Sequence, residues 1–432
     1  MNLNQKLRDR SASISVIGLG YVGLPLTCSL AKAGYRLIGL DVDVSKIHKL
    51  NHNESYISYI DNSVIEGLNN LEFQASSDFS LISESDVIII CVPTPLNKNR
   101  EPDLSYVSNT IDSVTPFLKK GQLISLESTT YPGMTDELIS KRLILEGFDI
   151  GNNFYLVYSP EREDPGNKDF STSNIPKIIG GYSENCLEVG VNLYEAVVEE
   201  VVKVSSTRVA EMTKLLENIQ RSVNIGLMNE MKVICTAMGI DIHEVIKAAE
   251  TKPFGFASYY PGPGIGGHCI PIDPFYLSWK AREYGLNTKF IELAGEINHS
   301  MPKWVISRLS DALNQKSLPL KDSKVLILGI AYKKNVDDMR ESPAALIMKH
   351  LEENGVDYDY SDPYIPSFPT LRNFEFDLNS VKLTPDVISS YDAVLLVTDH
   401  DDFDYDMIIQ NSKLLIDTRG VYKEQTDNLL KA

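Results

Sequence analysis

The sequence lacks the features that would place it in a membrane or on nucleic acid. None of its 432 residues belong to a run of about 18 apolar residues, which a membrane-spanning helix needs. Its first ten residues do not contain the apolar core of a signal peptide. No basic tract occurs, and the formal net charge is −18. We therefore expect a cytoplasmic protein with neither a membrane nor a nucleic acid as partner.

Cysteine is scarce, and its positions indicate neither disulfide bonds nor a metal site. The five cysteines lie at positions 28, 91, 186, 235 and 269, with neither metal-ligand spacing nor the pairing pattern of a disulfide-rich protein. We expect reduced thiols and no metal. The composition, 43% hydrophobic and 23% charged, is that of an ordinary globular protein, and the length suggests about three domains.

The amino-terminal segment carries a dinucleotide-binding pattern. A β-branched run at 13–17 is followed by Gly18-Leu-Gly20-Tyr-Val-Gly23, a helical pattern at 24–33 and a second strand at 34–40. Asp41 ends that strand, where an acid can bind the ribose diol of NAD and disfavour the 2′-phosphate of NADP. A strand-end cap is the alternative for Asp41. The expected cofactor contacts here are Gly18, Gly20, Tyr21, Val22, Gly23 and Asp41.

Three further apolar runs end in polar residues. They end at Pro93-Thr94, at Glu127-Ser-Thr129 and at Ser159-Pro-Glu161-Arg162. Continuous apolar runs are typical of buried parallel strands, whose carboxyl ends form the ligand-binding edge of an open sheet. Each polar residue taken alone could be a cap or a turn residue, but together they predict the rim of one cleft.

A long helix is predicted from Ser205 to Met238, ended by Gly239. A helix of this length usually bridges two domains and often contributes to a dimer interface. Glu211, Lys214 and Asn218 fall on one of its faces. Two interpretations remain open for this face: a functional site, or a solvated polar face with a Glu–Lys pair.

The chain is organised around residues 259–279, which begin with a loop that is rich in Gly and Pro and carries Cys269. The missing side chains at Gly264, Gly266 and Gly267 suggest that a substrate could lie against the main chain beside the sulfur. Asp273-Pro274 then predicts a helix start, with Asp273 as N-cap, whose dipole would favour a thiolate. A lone cysteine is more often a small buried hydrophobe, but this setting predicts a nucleophile.

A second α/β unit is predicted after a helix at 287–314 and a linker at 316–322. It opens with a strand that ends at Gly329 and continues with buried strands at 392–398 and 413–417. A single glycine at its first turn suits a mononucleotide or a sugar nucleotide better than a second dinucleotide. Positive charge lies beside its strand ends, at Lys333, Lys334, Arg340 and Arg419.

These patterns predict an α/β fold of two Rossmann-like, doubly wound domains, joined by a long central helix and a helical dimerisation region. The expected domains are an NAD-binding domain at 1–203, a central helical domain with the cysteine loop at 204–318, and a sugar-nucleotide-binding domain at 319–432.

The motifs together resemble the UDP-glucose/GDP-mannose dehydrogenase family over nearly the whole chain. Those that carry the resemblance are Gly18 to Gly23, Val92-Pro-Thr94, Glu127-Ser-Thr129, Ser159-Pro-Glu161, Lys214 with Asn218, Gly266-Gly-His-Cys269 through Asp273, Ala331-Tyr-Lys333, and Asp417-Thr-Arg419. The runs around Cys269 and from Tyr332 to Ser342 look like the branch that acts on UDP-N-acetylglucosamine. The resemblance implies oxidation of a sugar primary alcohol to a carboxylate with two NAD, in a homodimer.

The resemblance also implies roles for single residues. Cys269 would form a thiohemiacetal and then a thioester, Lys214 and Asn218 would stabilise charge on the sugar oxygen, and Glu161 would act as base for hydrolysis. Asp273 would orient water near the sulfur, and Thr129 would hold water or substrate. The implied cofactor contacts add Pro93, Thr94, Thr129 and Arg340; the implied substrate contacts are Glu161, Arg162, Lys214, Asn218, Tyr259, Gly266, Lys333 and Arg419.

The sequence departs from the family at one place. Many members that act on UDP-glucose carry a second glutamate four residues after the one that matches Glu161, and this chain has Pro165 there, near Glu163 and Asp164.

Three functions remain as alternatives to oxidation of UDP-N-acetylglucosamine. The first is the same reaction on UDP-glucose, UDP-N-acetylmannosamine or UDP-N-acetylgalactosamine. The second is a two-electron hydroxyacid dehydrogenase of the 6-phosphogluconate type, which needs neither Cys269 nor a second α/β domain. The third is a nucleotide sensor without catalysis, against which the intact set of Lys214, Asn218, Cys269 and Asp273 argues.

Overall fold

A computed structural model describes residues 2–57, 59–162, 173–267, 269–371 and 374–432. The chain forms two compact units. Unit 1 contains Met1–Glu217 and Phe275–Leu286, and unit 2 contains Asn218–Pro274 and Asn287–Ala432. The departure at Pro165, with Glu163 and Asp164, lies outside the described residues, as does His268 of the cysteine loop.

The strands are short, and most are buried. They are β1 (Ser13–Ile17), β2 (Arg36–Leu40), β3 (Phe73–Ser76), β4 (Val87–Ile90), β5 (Leu123–Leu126), β6 (Tyr155–Tyr158), β7 (Lys177–Gly181), β8 (Val201–Val204), β9 (Lys324–Leu328), β10 (Asp357–Ser361), β11 (Ala393–Leu396), β12 (Leu415–Asp417) and β13 (Leu429–Lys431).

Helix α1 precedes the first strand, and the other helices lie between strands, with four in succession between β8 and β9. They are α1 (Leu3–Arg8), α2 (Gly23–Lys32), α3 (Val44–Asn51), α4 (Asn62–Asn69), α5 (Ser105–Val114), α6 (Lys141–Leu145), α7 (Glu184–Tyr194), α8 (Thr207–Met238), α9 (Ile242–Glu250), α10 (Asp273–Glu283), α11 (Lys289–Gln315), α12 (Pro343–Glu353), α13 (Pro385–Ser390) and α14 (Tyr405–Asn411). Short 3₁₀ turns occupy Phe79–Glu84 and Thr115–Phe117, and a π-helical turn occupies Thr135–Ser140.

Unit 1 is built on an eight-stranded sheet of order β3-β2-β1-β4-β5-β6-β7-β8. The first six strands are parallel, and β7 runs antiparallel to β6. An order of 3-2-1-4-5-6 is that of a dinucleotide-binding Rossmann fold. Every residue of β1, β4 and β5 is buried, as expected for central strands covered by helices on both faces. The predicted Rossmann-like fold is confirmed for this unit.

Unit 2 contains a parallel five-stranded sheet of order β10-β9-β11-β12-β13. Its core lies between the buried faces of β9, β11 and β12 and helices that include α11 and α12. Gly329 follows β9 at φ +75°, and a Cβ atom there would lie 2.2 Å from the carbonyl oxygen of Thr398. Only glycine therefore fits this turn. The predicted second α/β unit with a single glycine at its first turn is confirmed.

The two long helices match their predicted ranges within two residues. Helix α8 spans Thr207–Met238, and α11 spans Lys289–Gln315 with Pro302 inside it. On α8, Leu215 and Ile219 are buried, whereas Val209, Met212 and Leu216 are exposed on the single chain. The apolar side chains of this helix are thus only partly used for packing within one molecule. Across the described residues, no helix is long and apolar enough to cross a bilayer.

Asp362, directly after β10, fixes the first turn of unit 2. Its Oδ2 accepts hydrogen bonds from the backbone N–H groups of Ile330 (2.7 Å) and Ala331 (3.1 Å), and Oδ1 accepts from Tyr364 (2.8 Å). His400 Nε2 lies 3.1 Å from Oδ2. Because Nδ1 of His400 accepts from the N–H of Asn335, Nε2 carries the proton and donates to Asp362. Burial opposes the charge on Asp362, but the bonds from His400 and the backbone outweigh it and lower its pKa.

We predict that Asp362→Ala destabilises the protein by about 3 kcal/mol or more at pH 7, because buried donors lose their acceptor. Calorimetric unfolding would measure the loss, with the exposed Asp377→Ala as a control that changes little. The lowered pKa sets the sign of the pH dependence: this stabilisation is complete above the unfolded pKa and is lost on acidification. The difference between wild type and Asp362→Ala should therefore shrink below about pH 4. An unchanged unfolding temperature at pH 7 would contradict this role.

Candidate active site

The turn between β1 and α2 has the geometry of a pyrophosphate cradle. Gly18 has φ +89°, and its Cβ would lie 2.7 Å from the carbonyl oxygen of Cys91; a Cβ on Gly23 would lie 1.9 Å from that of Gly18. At Gly20, by contrast, a Cβ would meet nothing within 4 Å. Val22 at the start of α2 provides no side-chain cap. The helix N-terminus is therefore left with N–H groups for an anion beside the open face of Gly20, which fits the pyrophosphate of NAD.

Asp41 follows β2 and is both a structural and a candidate binding group. Its Oδ2 accepts from the N–H of Leu19 (2.9 Å) and contacts Nζ of Lys46 (3.2 Å), while Oδ1 accepts from the N–H of Asp43 (2.9 Å). The strand-end cap considered for Asp41 is therefore present. A carboxylate at this edge still disfavours a 2′-phosphate, so the cap and the preference for NAD are compatible.

The three polar strand ends lie side by side, as predicted for one rim. Ile90, Leu126 and Tyr158, the last residues of β4, β5 and β6, are paired in register. Directly beyond them follow the exposed Pro93 and the buried Thr94, the partly exposed Thr129, and the pair Glu161 and Arg162. The hydroxyl of Ser128 donates to the carbonyl oxygen of Val92 (2.7 Å) and joins two of these ends.

A buried ionic cluster lies under this rim. Lys177, the first residue of β7, places Nζ 2.6 Å from Oε2 of Glu127 and 3.9 Å from Oε2 of Glu161. The hydroxyl of Tyr194 donates to Oε1 of Glu127. Sequence reasoning missed Lys177 and Tyr194; the available signal was a lysine at the start of an otherwise apolar strand. The cluster supplies the positive charge next to Glu161.

Arg162 is held by residues of unit 1. Its guanidinium pairs with Glu217 on α8 (2.8 Å) and donates to the carbonyl oxygen of Pro176 (2.7 Å). These contacts use both ends of the guanidinium, so the predicted contact of Arg162 with substrate remains a prediction.

The polar face of α8 is buried, not solvated. Glu211 is fully buried and accepts hydrogen bonds from the N–H of Gly133 (2.5 Å) and from the N–H (2.9 Å) and hydroxyl (2.6 Å) of Thr135. Burial raises the pKa of Glu211 to about 7 against these bonds. Lys214 is 8% exposed, and its ammonium pairs with no carboxylate among the described residues. The interpretation of this face as a solvated surface with a Glu–Lys pair is wrong.

Unit 2 brings three of the predicted catalytic residues together. Nδ2 of Asn218 donates to Oδ2 of Asp273 (2.5 Å), and both side chains are buried. The N–H of Asp273 donates to the carbonyl oxygen of Cys269 (2.8 Å), which closes a turn between the thiol and α10. Helix α10 begins at Asp273 itself, so the predicted N-cap position of Asp273 is wrong by one residue. The carboxylate is directed to Asn218.

Cys269 is the one cysteine of the five that is not buried. Burial raises the pKa of Cys28 to about 11 and that of Cys91 well above its usual range, so these thiols are inert at neutral pH. Accessibility thus singles out Cys269 as the thiol that can meet a substrate.

The glycines before Cys269 serve packing, which corrects their expected role. A Cβ on Gly266 would lie 2.7 Å from Cβ of Tyr332 and 3.0 Å from the carbonyl oxygen of Glu341, and one on Gly267 would lie 2.9 Å from the ring of Tyr332. The missing side chains are therefore replaced by protein atoms, and the substrate does not gain this space. At Gly262 a Cβ would lie 2.9 Å from a guanidinium nitrogen of Arg419.

The remaining predicted contacts also lie in unit 2. Arg340 donates to both oxygens of Asp338, from Nη2 to Oδ2 (2.6 Å) and from Nε to Oδ1 (3.0 Å). Arg419 donates to the carbonyl oxygen of Val397 (2.7 Å) and lies 3.8 Å from Asp399. The hydroxyl of Tyr259 donates to Gln220 (2.7 Å), and Lys333 is partly exposed. No group of three or more His, Cys, Asp or Glu side chains suited to a metal occurs among the described residues.

Comparison with known proteins agrees with this arrangement. Three models of the UDP-glucose/GDP-mannose dehydrogenase family match the chain: the NAD-binding domain at residues 12–198, the central domain at 208–300 and the UDP-binding domain at 326–424. The chain therefore belongs to the UDP-glucose/GDP-mannose dehydrogenase family. It is a nucleotide-sugar dehydrogenase that uses NAD.

Its relatives carry more than one substrate name. The chain is 35% identical to UDP-N-acetyl-D-mannosamine dehydrogenase of Methanococcus maripaludis (94% of this chain, 92% of the relative). It is 33% identical to UDP-N-acetyl-D-glucosamine 6-dehydrogenase of Pseudomonas aeruginosa (91% and 92%). The solved UDP-N-acetylmannosamine dehydrogenase of Pyrococcus horikoshii is 30% identical, with a TM-score of 0.87 over 97% of this chain and 98% of that chain.

We predict that alanine destabilises the protein at Gly23 but not at Gly20, although it weakens NAD binding at both positions of the glycine turn. Gly23→Ala should lower the melting temperature and weaken NAD binding at least tenfold, because its Cβ would strike the backbone. Gly20→Ala should leave the melting temperature within about 2 °C, since space is free there, yet still weaken NAD binding by obstructing the pyrophosphate. Calorimetric titration with NAD would measure both. An unchanged dissociation constant in Gly20→Ala would contradict pyrophosphate binding at this turn.

Proposed function

We propose that this protein oxidises the primary alcohol of UDP-N-acetylglucosamine to the uronic acid, in two steps that share one active site. The balance is one alcohol, two NAD⁺ and one water giving one carboxylate, two NADH and three protons. The single observation that carries the proposal is the accessible Cys269 thiol, whose turn joins it to the buried Asn218–Asp273 pair. A thiol is needed only if the aldehyde is carried on to the acid.

NAD supplies the hydride acceptor for each of the two oxidations. In the first, the alcohol proton leaves and an aldehyde forms. The sulfur of Cys269 then adds to the aldehyde carbon, and the resulting thiohemiacetal loses a second hydride and a proton to become a thioester. Water cleaves the thioester, releasing the acid and the thiol. We assign Glu161 as the base for that water, with Thr129 holding water or substrate.

Lys214 and Asn218 are assigned to the developing charge on the sugar oxygen. A nearly buried ammonium without a carboxylate partner among the described residues is costly in a folded protein. An anionic oxygen of a reacting substrate would offset that cost. The stabilisation would be largest in the transition state, where the negative charge on the oxygen is greatest. Asp273 holds the amide of Asn218 and can orient water beside the sulfur. The Asn218–Asp273 hydrogen bond supports this assignment.

The remaining contacts complete the proposal. We assign Gly18, Gly20, Tyr21, Val22, Gly23, Asp41, Pro93, Thr94, Thr129 and Arg340 to the cofactor, and Glu161, Arg162, Tyr259, Lys333 and Arg419 to the substrate. The corresponding domains are 1–203 for NAD, 204–318 for the central helices and 319–432 for the UDP-sugar. The matches of family models to three successive segments support this division.

The sugar itself is the open choice within this proposal. UDP-N-acetylmannosamine is the alternative that the names of several relatives favour, and UDP-glucose and UDP-N-acetylgalactosamine follow. A hydroxyacid dehydrogenase of the 6-phosphogluconate type is less well supported, because the chain has a UDP-binding domain.

We further propose a cytoplasmic homodimer. The exposed apolar side chains Val209, Met212, Leu216, Leu227, Val233, Ile234 and Met238 lie along α8. A helix of 32 residues is about 48 Å long, and its unburied apolar positions favour a second copy of the chain as partner.

We predict two NADH for each sugar consumed. The purified protein would be incubated with NAD⁺ and each of the four UDP-sugars, with NADH measured by absorbance and the product by mass spectrometry. The sugar with the highest kcat/KM identifies the substrate. One NADH per sugar would contradict the four-electron reaction, and none with any sugar would contradict the proposed activity altogether.

We predict that Cys269→Ser loses at least about a thousandfold in turnover to the acid, because a hydroxyl cannot form the thioester at neutral pH. Binding of UDP-sugar and of NAD should remain within about threefold of wild type, measured by calorimetric titration. Cys235→Ser serves as the control, since that thiol is buried in an apolar cluster with Ile242 and Ile246. A Cys269→Ser enzyme with near-normal turnover would refute the nucleophile.

A further inference from the structure

The turn that follows β12 in unit 2 carries Arg419 and is fixed at its backbone by a carboxylate. Asp417, the last residue of β12, accepts hydrogen bonds from the N–H groups of Arg419 (2.9 Å), Gly420 (2.9 Å) and Tyr422 (3.0 Å). These bonds use both carboxylate oxygens and satisfy the backbone donors of the turn. The direction of the Arg419 side chain depends on further contacts.

The guanidinium of Arg419 is held by the protein at one end. Its Nε donates to the carbonyl oxygen of Val397 (2.7 Å) and lies 3.8 Å from Oδ1 of Asp399. Among the described residues, no hydrogen bond engages the two terminal nitrogens, although the side chain is only 21% exposed. One of these nitrogens borders Gly262 of the cysteine loop, where a Cβ would lie 2.9 Å from it. A mostly buried guanidinium with two unused donors is suited to bidentate binding of a phosphate.

A buried lysine on α8 contacts the same turn. Lys232 is 3% exposed, and its Nζ donates to the carbonyl oxygen of Thr418 (2.9 Å), the residue directly before Arg419. The ring of Trp304 on α11 lies 5.5 Å from the same nitrogen. Burial lowers the pKa of Lys232 to about 7, although the charge of Asp417 opposes this shift. A buried amine is costly at this position, so packing alone does not explain it.

Asn229 holds the cysteine loop from the same face of α8. Its Oδ1 accepts from the N–H of Gly262 (2.9 Å), and its Nδ2 donates to Oδ1 of Asn298 on α11 (2.9 Å). Asn229 and Lys232 are both buried, and their spacing of three residues places them side by side on the helix. One face of α8 therefore binds the backbone of Gly262 and that of Thr418, the two segments next to the guanidinium of Arg419.

We infer that Lys232 is a positioning residue: through the carbonyl oxygen of Thr418 it fixes the place of Arg419, whose terminal nitrogens bind the diphosphate of the UDP-sugar. The inference rests on the proposed function, in which Arg419 contacts the substrate. Lys232 acts through the backbone of the turn and does not touch the substrate itself. The UDP-binding family model covers residues 326–424 and thus includes this turn, which supports a nucleotide as the ligand.

The advantage of this arrangement is preorganisation. An arginine side chain loses conformational freedom when it binds a ligand, and this loss reduces affinity. Where Nε and the preceding backbone are already fixed, less freedom remains to be lost when the phosphate binds. Removal of Lys232 should therefore weaken binding of the nucleotide although no contact with the ligand is deleted.

The test is a double-mutant cycle between Lys232 and Arg419, measured on the full-length protein by calorimetric titration with UDP. Lys232→Met removes the amine and keeps an unbranched side chain, and Arg419→Met removes the guanidinium. Lys232→Gln is shorter by one bond and lacks the amine, so it replaces Lys232→Met if that variant does not fold. Lys247→Met, at an exposed lysine of α9, is the matched control.

We predict that Lys232→Met weakens UDP binding about tenfold and that Arg419→Met weakens it at least as much. In the Arg419→Met background, Lys232→Met should cause no further loss beyond about twofold, because its effect passes through the guanidinium. NAD binding by Lys232→Met, and UDP binding by Lys247→Met, should stay at wild-type strength. An unchanged UDP affinity in Lys232→Met would overturn the inference. So would losses that multiply in the double variant, because they would show that Lys232 acts independently of Arg419.

Titration with UDP separates this inference from the proposed function, because it does not require turnover. If none of the four UDP-sugars were oxidised, the proposed activity would fail, and the cycle would still decide whether Lys232 acts through Arg419. If Arg419→Met bound UDP as tightly as wild type, the assignment of Arg419 to the substrate would fail together with the inference.

Kinetics distinguishes a positioning role at the nucleotide from a general structural defect. With the preferred UDP-sugar, Lys232→Met should raise KM about tenfold and leave kcat within about twofold of wild type, because contacts with the diphosphate are equally strong in the ground state and the transition state. A fall in kcat with an unchanged KM would contradict the inference, since it would place the defect at the reacting carbon and not at the nucleotide.

Discussion

The structure depends on one interaction that occurs in both sheets. A carboxylate that follows the neighbouring strand accepts hydrogen bonds from the backbone N–H groups of the turn after β1 and of the turn after β9. In unit 1, Asp41 accepts from the N–H of Leu19; in unit 2, Asp362 accepts from those of Ile330 and Ala331. Buried N–H groups at a glycine turn have no partner in a helix or sheet, so a fixed acceptor is needed. Once the turns are fixed, the helices that follow them have fixed starting points.

The two carboxylates differ in how much of their hydrogen-bonding capacity the protein uses. Asp41 sits beside Lys46 and an open glycine face, so it can stabilise the turn and still meet a ribose. Asp362 is enclosed by His400 and by four backbone N–H groups, and no lone pair remains for a ligand. The carboxylate that follows β10 therefore cannot bind a ribose diol. This difference agrees with the assignment of NAD to one family domain and UDP to the other.

Sequence patterns predicted the parts of the molecule that local chemistry determines. The glycine turn at 18–23, the buried strands and the two long helices follow from periodicity, from turn residues and from β-branched runs. For Asn218 and Asp273, the sequence predicted only that both belong to one site and not that they form a hydrogen bond. Tertiary contacts decided the rest: Lys177 meets Glu127 across 50 residues, and Gly266 is small because Tyr332 fills its space. The sequence alone allowed Glu211 to be interpreted as a surface residue, because its hydrogen-bond donor Gly133 is distant from it in the chain.

The packing of the cysteine loop against the carboxyl-terminal sheet has an evolutionary consequence. Gly262 borders the guanidinium of Arg419, while Gly266 and Gly267 border Tyr332. A change of side chain in the loop therefore displaces residues on the far sheet, and a bulkier residue on the sheet reshapes the loop. We therefore expect the two segments to change together among homologues, and a loop transferred alone from a relative would clash with the residues that it meets beside the sheet.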